Sequence, residues 1–292
     1  MNSYVPKIAA IHDISGIGRC SMTVISPIIS ALGCQVCPLP TAILSNHSEY
    51  KDFFFYDFTD HMIEYYDHWE KISSGFDCVY SGFIGSQKQI DIILDIIKRI
   101  KLKNNNKETL IVVDPVMGDH GFTYKTYSED MISKMSRLVE SADIITPNLT
   151  EACILTGKKY TDDNLSIDTL KEYLVALSNL GPGIVVITGI KTDEGESINV
   201  CFDKSKNEFY KVPYDYINKR YPGTGDLFTS LFLGYLLNND DLPKAIEKAS
   251  RFVTSAVLIT YKANTPSSEG VLFEKIMHEL YNDVKEYKYS KI

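Results

Sequence analysis

The sequence predicts an α/β fold, a doubly wound and mostly parallel sheet with helices on both faces. Short apolar runs alternate with longer stretches of helical periodicity along most of the chain. The runs are apolar at successive positions, as strands buried on both faces are. No proline-rich linker, internal repeat or low-complexity stretch divides the 292 residues, so one domain over residues 1–292 is expected.

Taken in order, Lys7–His12 is the first expected strand and Ser21–Leu32 the helix that follows it. Further strands are expected at Cys34–Pro38, Asp77–Ser81, Leu110–Asp114, Asp143–Thr146 and Ile184–Thr188. The helix Gln87–Lys101 sets Ile90, Ile93, Leu94 and Ile97 on one face, with Ile92, Ile96 and Ile100 widening the stripe. After Gly189 the pattern changes. Ser197–Phe202 and Glu208–Val212 read as an antiparallel pair across a polar turn, and Pro213 ends the second because it cannot donate to a ladder. Leu242 to Val257 again holds helical spacing, and the segment after Pro266 reads as one helix with a Lys/Tyr-rich tail.

A composition of 44% hydrophobic and 23% charged residues excludes a disordered or fibrous chain. The net charge of −8 argues against nucleic-acid binding, and the densest basic run, Lys98 to Lys103, falls at a helix C-terminus where cations answer the dipole. No apolar stretch approaches about 18 residues, so no membrane span is expected. The N-terminus lacks the apolar core of a signal peptide, and the expectation is a reduced, cytoplasmic protein. Cys34 and Cys37 have redox-motif spacing, but they lie in a predicted strand rather than at a helix N-terminus, and read as small apolar residues.

Several expected strands end in polar residues or turns: His12-Asp13, Ser81-Gly82, Asp114-Pro115, Thr146-Pro147-Asn148 and Thr188-Gly189. In a parallel sheet these ends share one edge, where ligands of open α/β sheets bind. Gly16-Ile17-Gly18-Arg19-Cys20-Ser21 lacks the third glycine and the following acid of a dinucleotide fingerprint. It reads instead as a turn that admits a substrate. Tyr221-Pro222-Gly223-Thr224-Gly225-Asp226 precedes an apolar helix, so free N–H groups and the positive dipole end face a side-chain-free turn. Asp226 beside such an anion hole suits phosphoryl transfer to an alcohol, although a plain glycine turn explains the tetrapeptide equally well. Asn148-Leu149-Thr150-Glu151 reads either as a capping box or as a carboxylate near Mg²⁺. Asp114 and Asp119, five apart, either flank a metal–triphosphate or merely make a turn. His61 and His68 share a helix face without a third ligand and read as a solvated or interface face. The aromatic run Phe53 to Tyr56 reads as a flap or an interface.

Together these segments are more specific than any alone. Gly223-Thr224-Gly225-Asp226, Asn148-Leu149-Thr150-Glu151, Asp114-Pro115-Val116-Met117-Gly118-Asp119, Val186-Ile187-Thr188 and Leu44-Ser45-Asn46-His47-Ser48-Glu49-Tyr50 resemble the ribokinase-like superfamily, and within it the vitamin B6 kinases. The resemblance runs nearly the whole chain, to about Thr265. It implies ATP-dependent phosphorylation of the 5′-hydroxymethyl group of a B6 vitamer, with Asp226 as base and the Gly223, Thr224 and Gly225 backbone holding the phosphoryl group. It further implies Asp114, Asp119, Asn148 and Glu151 for ATP phosphates and Mg²⁺, with Asp114 and Glu151 nearest the metal. Thr188 and Gly189 would touch the nucleotide. Asp13, Ser15, His47, Ser48 and Phe83 would line the vitamer side. A homodimer and a K⁺ requirement are implied on the same ground alone.

One segment and two single positions depart from the B6 pattern. Asp13-Ile14-Ser15-Gly16 resembles hydroxymethylpyrimidine kinases, Ser48 stands where Thr is usual, and Phe83 where Tyr is usual. They bear on the substrate, leaving a hydroxymethylpyrimidine kinase as the alternative. A non-catalytic sensor on the same fold is the rival of another class, and the intact Gly-Thr-Gly-Asp argues against it. The segment Gly118–Tyr124 is expected to close over the site and exclude water.

Overall fold

A computed structural model describes residues 4–72, 75–104, 108–124, 127–161, 163–282 and 286–292. The strands are β1 (Lys7–Ile17), β2 (Gln35–Asn46), β3 (Phe55–Asp57), β4 (Cys78–Ser81), β5 (Leu110–Val113), β6 (Gly118–Asp119), β7 (Phe122–Thr123), β8 (Ile144–Ile145), β9 (Ile184–Lys191), β10 (Ser197–Asp203), β11 (Glu208–Pro213) and β12 (Ser290–Lys291). The helices are α1 (Met22–Ala31), α2 (Met62–Ile72), α3 (Gln87–Lys103), α4 (Glu129–Glu140), α5 (Leu149–Thr156), α6 (Ile167–Ser178), α7 (Thr224–Leu237) and α8 (Leu242–Ala263). Among the described residues ten strands form one sheet, in the order β12-β11-β10-β9-β8-β5-β4-β1-β2-β3. From β9 to β2 the pairs are parallel, and the antiparallel β10, β11 and β12 extend one side and β3 the other.

Residues alternate across the sheet and feed two cores. Ala9, Ile11, Val79, Ile111 and Val113 face α2 to α6, which contribute Ile93, Met135 and Leu174 among others. Ile8, Ala10, Cys78, Val112 and Ile144 face α1, α7 and α8. Helix α7 is buried from Leu227 through Tyr235, which explains its unbroken apolar sequence. The strand order reverses between β1 and β4, since β2 lies on one side of β1 and the later strands on the other. That switch point opens a crevice at the carboxyl ends.

Two expectations fall short in extent. β1 and β2 continue past their expected ends, pairing Ile14 with Ile43, Ser15 with Leu44 and Ile17 with Asn46 beyond a bulge at His12–Ile14. The glycine pair at Gly16 and Gly18 is therefore half strand rather than all turn. Pro38 and Pro40 are tolerated because β3 pairs only with Ala42–Leu44, so β2 is an edge strand where they stand. After Pro266 the chain forms 3₁₀ turns at Ser267–Glu269 and Phe273–Tyr281 instead of one helix, and its tail adds β12 to the sheet.

Candidate active site

The crevice collects the strand-end residues as expected. Asp13 lies in β1, Asp114 just after β5, and Asn148, after β8, forms a parallel bridge with Thr188 of β9. The glycine turn comes from the opposite side. Gly223 caps α7 in the left-handed conformation at φ 76°, and a Cβ there would stand 2.1 Å from the Arg19 carbonyl oxygen. Only glycine fits. A Cβ on Gly225 would be 3.9 Å from Asp114 Oδ2, so the turn passes directly over that carboxylate.

Asp226 lies in the first turn of α7 and is half-buried. Its Oδ2 accepts the Ser21 backbone N–H at 2.7 Å and faces the Cys20 thiol at 3.6 Å. Burial pushes its pKa up to about 6 against the pull of the Ser21 hydrogen bond, and the nearby Asp13 carboxylate raises it further.

Asp114 and Glu151 are both buried, and burial followed by mutual repulsion raises their pKa values well above the carboxylate range. For Asp114 the repelling neighbour is Asp226, and for Glu151 it is Asp114 and, more weakly, Asp119. Glu151 Oε2 accepts the Asn148 N–H at 2.9 Å and Asn148 Oδ1 accepts the Glu151 N–H at 3.0 Å, a complete capping box. Glu151 Oε1 also accepts the Met117 N–H at 3.1 Å. Capping and facing Asp114 are thus one geometry, not competing readings. Hard oxygen donors that repel one another fit a divalent cation such as Mg²⁺.

The segment Gly118–Tyr124 is a hairpin of β6 and β7 anchored on the start of α5. Asn148 Nδ2 donates to the Gly118 carbonyl at 2.9 Å, and the Gly121 N–H donates to Thr150 Oγ1 at 2.9 Å. Asp119 pairs with Arg220 at 3.3 Å, and the same guanidinium reaches Glu49 at 3.6 Å. Arg220 therefore joins this hairpin to the β2–β3 flap.

On the other side, Asp13 is buried and accepts the Ser15 hydroxyl at 2.8 Å. Burial raises its pKa, partly offset by hydrogen bonds from Ser21 and Ser15 and by His47. His47 is buried, with Nε2 2.6 Å from the Ser268 carbonyl oxygen. Phe83 is half-buried and its carbonyl accepts the Thr41 hydroxyl at 3.0 Å, whereas Ser48 is exposed. Gly189, left-handed at φ 73°, donates its N–H to Asn199 Oδ1 at 3.0 Å. His12 takes no comparable place. Its ring packs edge-on against Tyr80 at 4.3 Å, and burial lowers its pKa to about 3, which keeps it neutral.

Sequence reasoning missed Arg220, Ser21, Cys20 and Ser268. Arg220 adjoins the Tyr221–Asp226 segment, and Cys20 and Ser21 close the Gly16–Ser21 turn without a role of their own there; those places are the available signal. Ser268 lay in a tail with no assigned chemistry. His61 contacts the Tyr56 hydroxyl at 2.8 Å, and among the described residues no group of three or more metal-ligating side chains forms.

The phosphomethylpyrimidine kinase family model matches residues 29–270. The chain belongs to that family. Its relatives in it include pyridoxal kinases, the enzymes that phosphorylate B6 vitamers. A crystal structure of a putative phosphomethylpyrimidine kinase from Bacteroides thetaiotaomicron, in a form with pyridoxal, is 41% identical and superposes with a TM-score of 0.92 over 99% of this chain and 100% of that one. Pyridoxal kinase from Lactobacillus plantarum is 26% identical, with a TM-score of 0.85 over 95% of this chain and 97% of that one. Pyridoxal kinase of Dictyostelium discoideum is 29% identical, covering 85% of this chain and 84% of the relative. The fold is that of pyridoxal kinase structures, an α/β fold with a mixed, mostly parallel sheet. Among the described residues no helix is long and apolar enough to cross a membrane.

Proposed function

We propose that residues 1–292 act as one ATP-dependent kinase domain that phosphorylates the 5′-hydroxymethyl group of a B6 vitamer. The observation that carries this reading is the meeting of Asp226 and Asp114 across the Gly223–Gly225 turn. A hydroxyl placed between Asp226 and that turn loses its proton to the carboxylate as its oxygen attacks phosphorus. A pKa near 6 leaves Asp226 ionised at neutral pH yet more basic than an ordinary aspartate, which matches a general base to its working range. The N–H groups of Gly223, Thr224 and Gly225 at the start of α7 receive the transferring phosphoryl group.

Asp114, Asp119, Asn148 and Glu151 serve the ATP phosphates, and Asp114 and Glu151 would hold Mg²⁺, directly or through water. When bound, Mg²⁺ supplies the charge that neutralises the phosphate oxygens in an in-line transfer. Thr188 and Gly189 contact the nucleotide. Asp13, Ser15, His47, Ser48 and Phe83 line the vitamer side, where the half-buried Ile14 and Phe83 suit a flat ring. The β6–β7 hairpin, tied to the flap by Arg220, excludes water from the reaction. A cytoplasmic location, a K⁺ requirement and a homodimer through the exposed aromatic edge at Phe54 and the β3 residue Phe55 belong to the same proposal.

The second reading is phosphorylation of hydroxymethylpyrimidine, favoured by Asp13 and by membership of the phosphomethylpyrimidine kinase family. The test is pyridoxal-dependent ADP release from Mg-ATP, with the Asp226→Asn variant as control. Release by the native chain and its loss in the variant support the proposal. Absence of release with every B6 vitamer overturns it.

A further inference from the structure

Arg19, in the turn between β1 and α1, is gripped by the 3₁₀ segments near the C-terminus. Its Nε donates to both carboxylate oxygens of Glu274, at 2.7 and 2.9 Å, and its Nη1 to the Glu269 carbonyl at 3.1 Å. That carbonyl also accepts the Arg19 backbone N–H at 3.1 Å. A guanidinium serves two acceptors in two directions from one rigid plane, which a lysine ammonium does not. The gripping segment is itself anchored. The Leu272 N–H donates to Thr260 Oγ1 of α8 at 2.8 Å, and Val271 and Phe273 on either side are buried.

The Arg19 peptide is also wedged between the glycine turn of the site and this segment. A Cβ on Gly223 would stand 2.1 Å from the Arg19 carbonyl oxygen, and a Cβ on Gly270 2.7 Å from it. Two residues on, Ser21 holds φ 51°, a left-handed conformation that a serine keeps only where its surroundings impose it. The Ser21 N–H donates to Asp226 Oδ2 at 2.7 Å. One ion pair and one short turn thus connect Glu274 to the carboxylate of α7.

We propose that Arg19 is a positioning residue for phosphoryl transfer: clamped by Glu274 and the Glu269 carbonyl, it fixes the turn whose Ser21 N–H orients the Asp226 carboxylate. The proposal rests on Asp226 being the base. The Glu274 side chain is 49% exposed and that of Arg19 25%, so the pair adds little to stability and its effect falls on the rate.

The test reads kcat, KM for ATP and Tm by ADP release from Mg-ATP with pyridoxal and by thermal unfolding. Arg19→Met keeps the stem and removes the donors. The expected result is kcat lower by about tenfold, which is about 1.4 kcal/mol of transition-state stabilisation. KM for ATP stays within about twofold, and Tm falls by no more than about 4 °C. Glu274→Ala leaves the Glu269 contact in place and lowers kcat by about threefold, again at unchanged KM. In an Asp226→Asn background Arg19→Met lowers kcat by less than about twofold, because no base is left to orient. Native kcat in both Arg19→Met and Glu274→Ala overturns the proposal, as does a kcat loss that comes with a large fall in Tm and a raised KM in both. Should Arg19→Met fold poorly, Glu274→Ala decides alone by the same criteria. Native activity in Asp226→Asn removes the base assignment and this proposal with it. If Asp226→Asn loses activity and Arg19→Met still costs its full factor on top, only the role of Arg19 fails.

Discussion

Replacing Asp226 by Asn removes the base and keeps the shape of the side chain. General-base catalysis contributes about 10²–10⁴ in rate, so kcat should fall by that factor while ATP still binds. At about 1.36 kcal/mol per decade, the loss is about 3–5 kcal/mol of transition-state stabilisation. The environment of Asp226 also sets the pH at which the native enzyme loses its base. Burial, opposed by the Ser21 N–H and reinforced by Asp13, brings its pKa to about 6. The carboxylate is then about nine-tenths ionised at pH 7 and about one-tenth at pH 5, so kcat/KM should fall nearly tenfold between them. The groups facing Asp226 are Asp13 in β1, Cys20 in the turn before α1, Asp114 after β5 and Tyr80 in β4. Asp13→Asn removes a negative charge that raises it and should move the acid limb to lower pH. The assay is ADP release from Mg-ATP at saturating and at low vitamer, from pH 5 to 8. A flat profile through this range, or an Asp226→Asn variant within about threefold of native, refutes the assignment.

Other consequences concern the same site. The raised pKa of Asp114 means that its contribution to stability is full below the ordinary carboxylate range and is lost as pH rises through the raised value. Asp114→Asn should therefore stabilise the nucleotide-free protein by about 1–3 kcal/mol at pH 8, seen as a Tm higher by several degrees, with a smaller gain near pH 4 and with loss of activity. Gly223→Ala should cost about 2 kcal/mol or more in thermal or urea unfolding, because φ 76° and the Arg19 carbonyl both oppose a Cβ. Gly225→Ala meets only an ordinary contact at 3.9 Å and should fold normally while losing kcat. Arg220→Ala breaks two exposed ion pairs, so Tm should barely move, while KM for ATP and vitamer rise together several-fold.

Much of the site was legible because its residues stand at strand ends and in glycine turns, where chain geometry and chemistry coincide. Asp114, Asn148, Glu151, Gly223 and Asp226 meet where the alternating pattern places them. The extension of β1 and β2 was not legible, since Gly16 interrupts the one and Pro38 and Pro40 the other, and what keeps them extended is pairing with each other and, for β2, with β3. Ser21 and Arg220 were hidden for another reason. Their partners lie far along the chain, Asp226 for the one and Glu49 with Asp119 for the other, and no local pattern records such contacts. The two readings of Asn148 and Glu151 looked exclusive in one dimension, whereas a carboxylate with two oxygens serves the cap and the crevice at once.

The central claim is the substrate. The most direct measurement compares kcat/KM for pyridoxal, pyridoxine, pyridoxamine and hydroxymethylpyrimidine side by side by ADP release from Mg-ATP. The account predicts that a B6 vitamer leads by roughly tenfold or more, about 1.4 kcal/mol of transition-state preference. A lead for hydroxymethylpyrimidine would contradict it and make the Asp13–Gly16 segment the better guide to the ring that this site accepts.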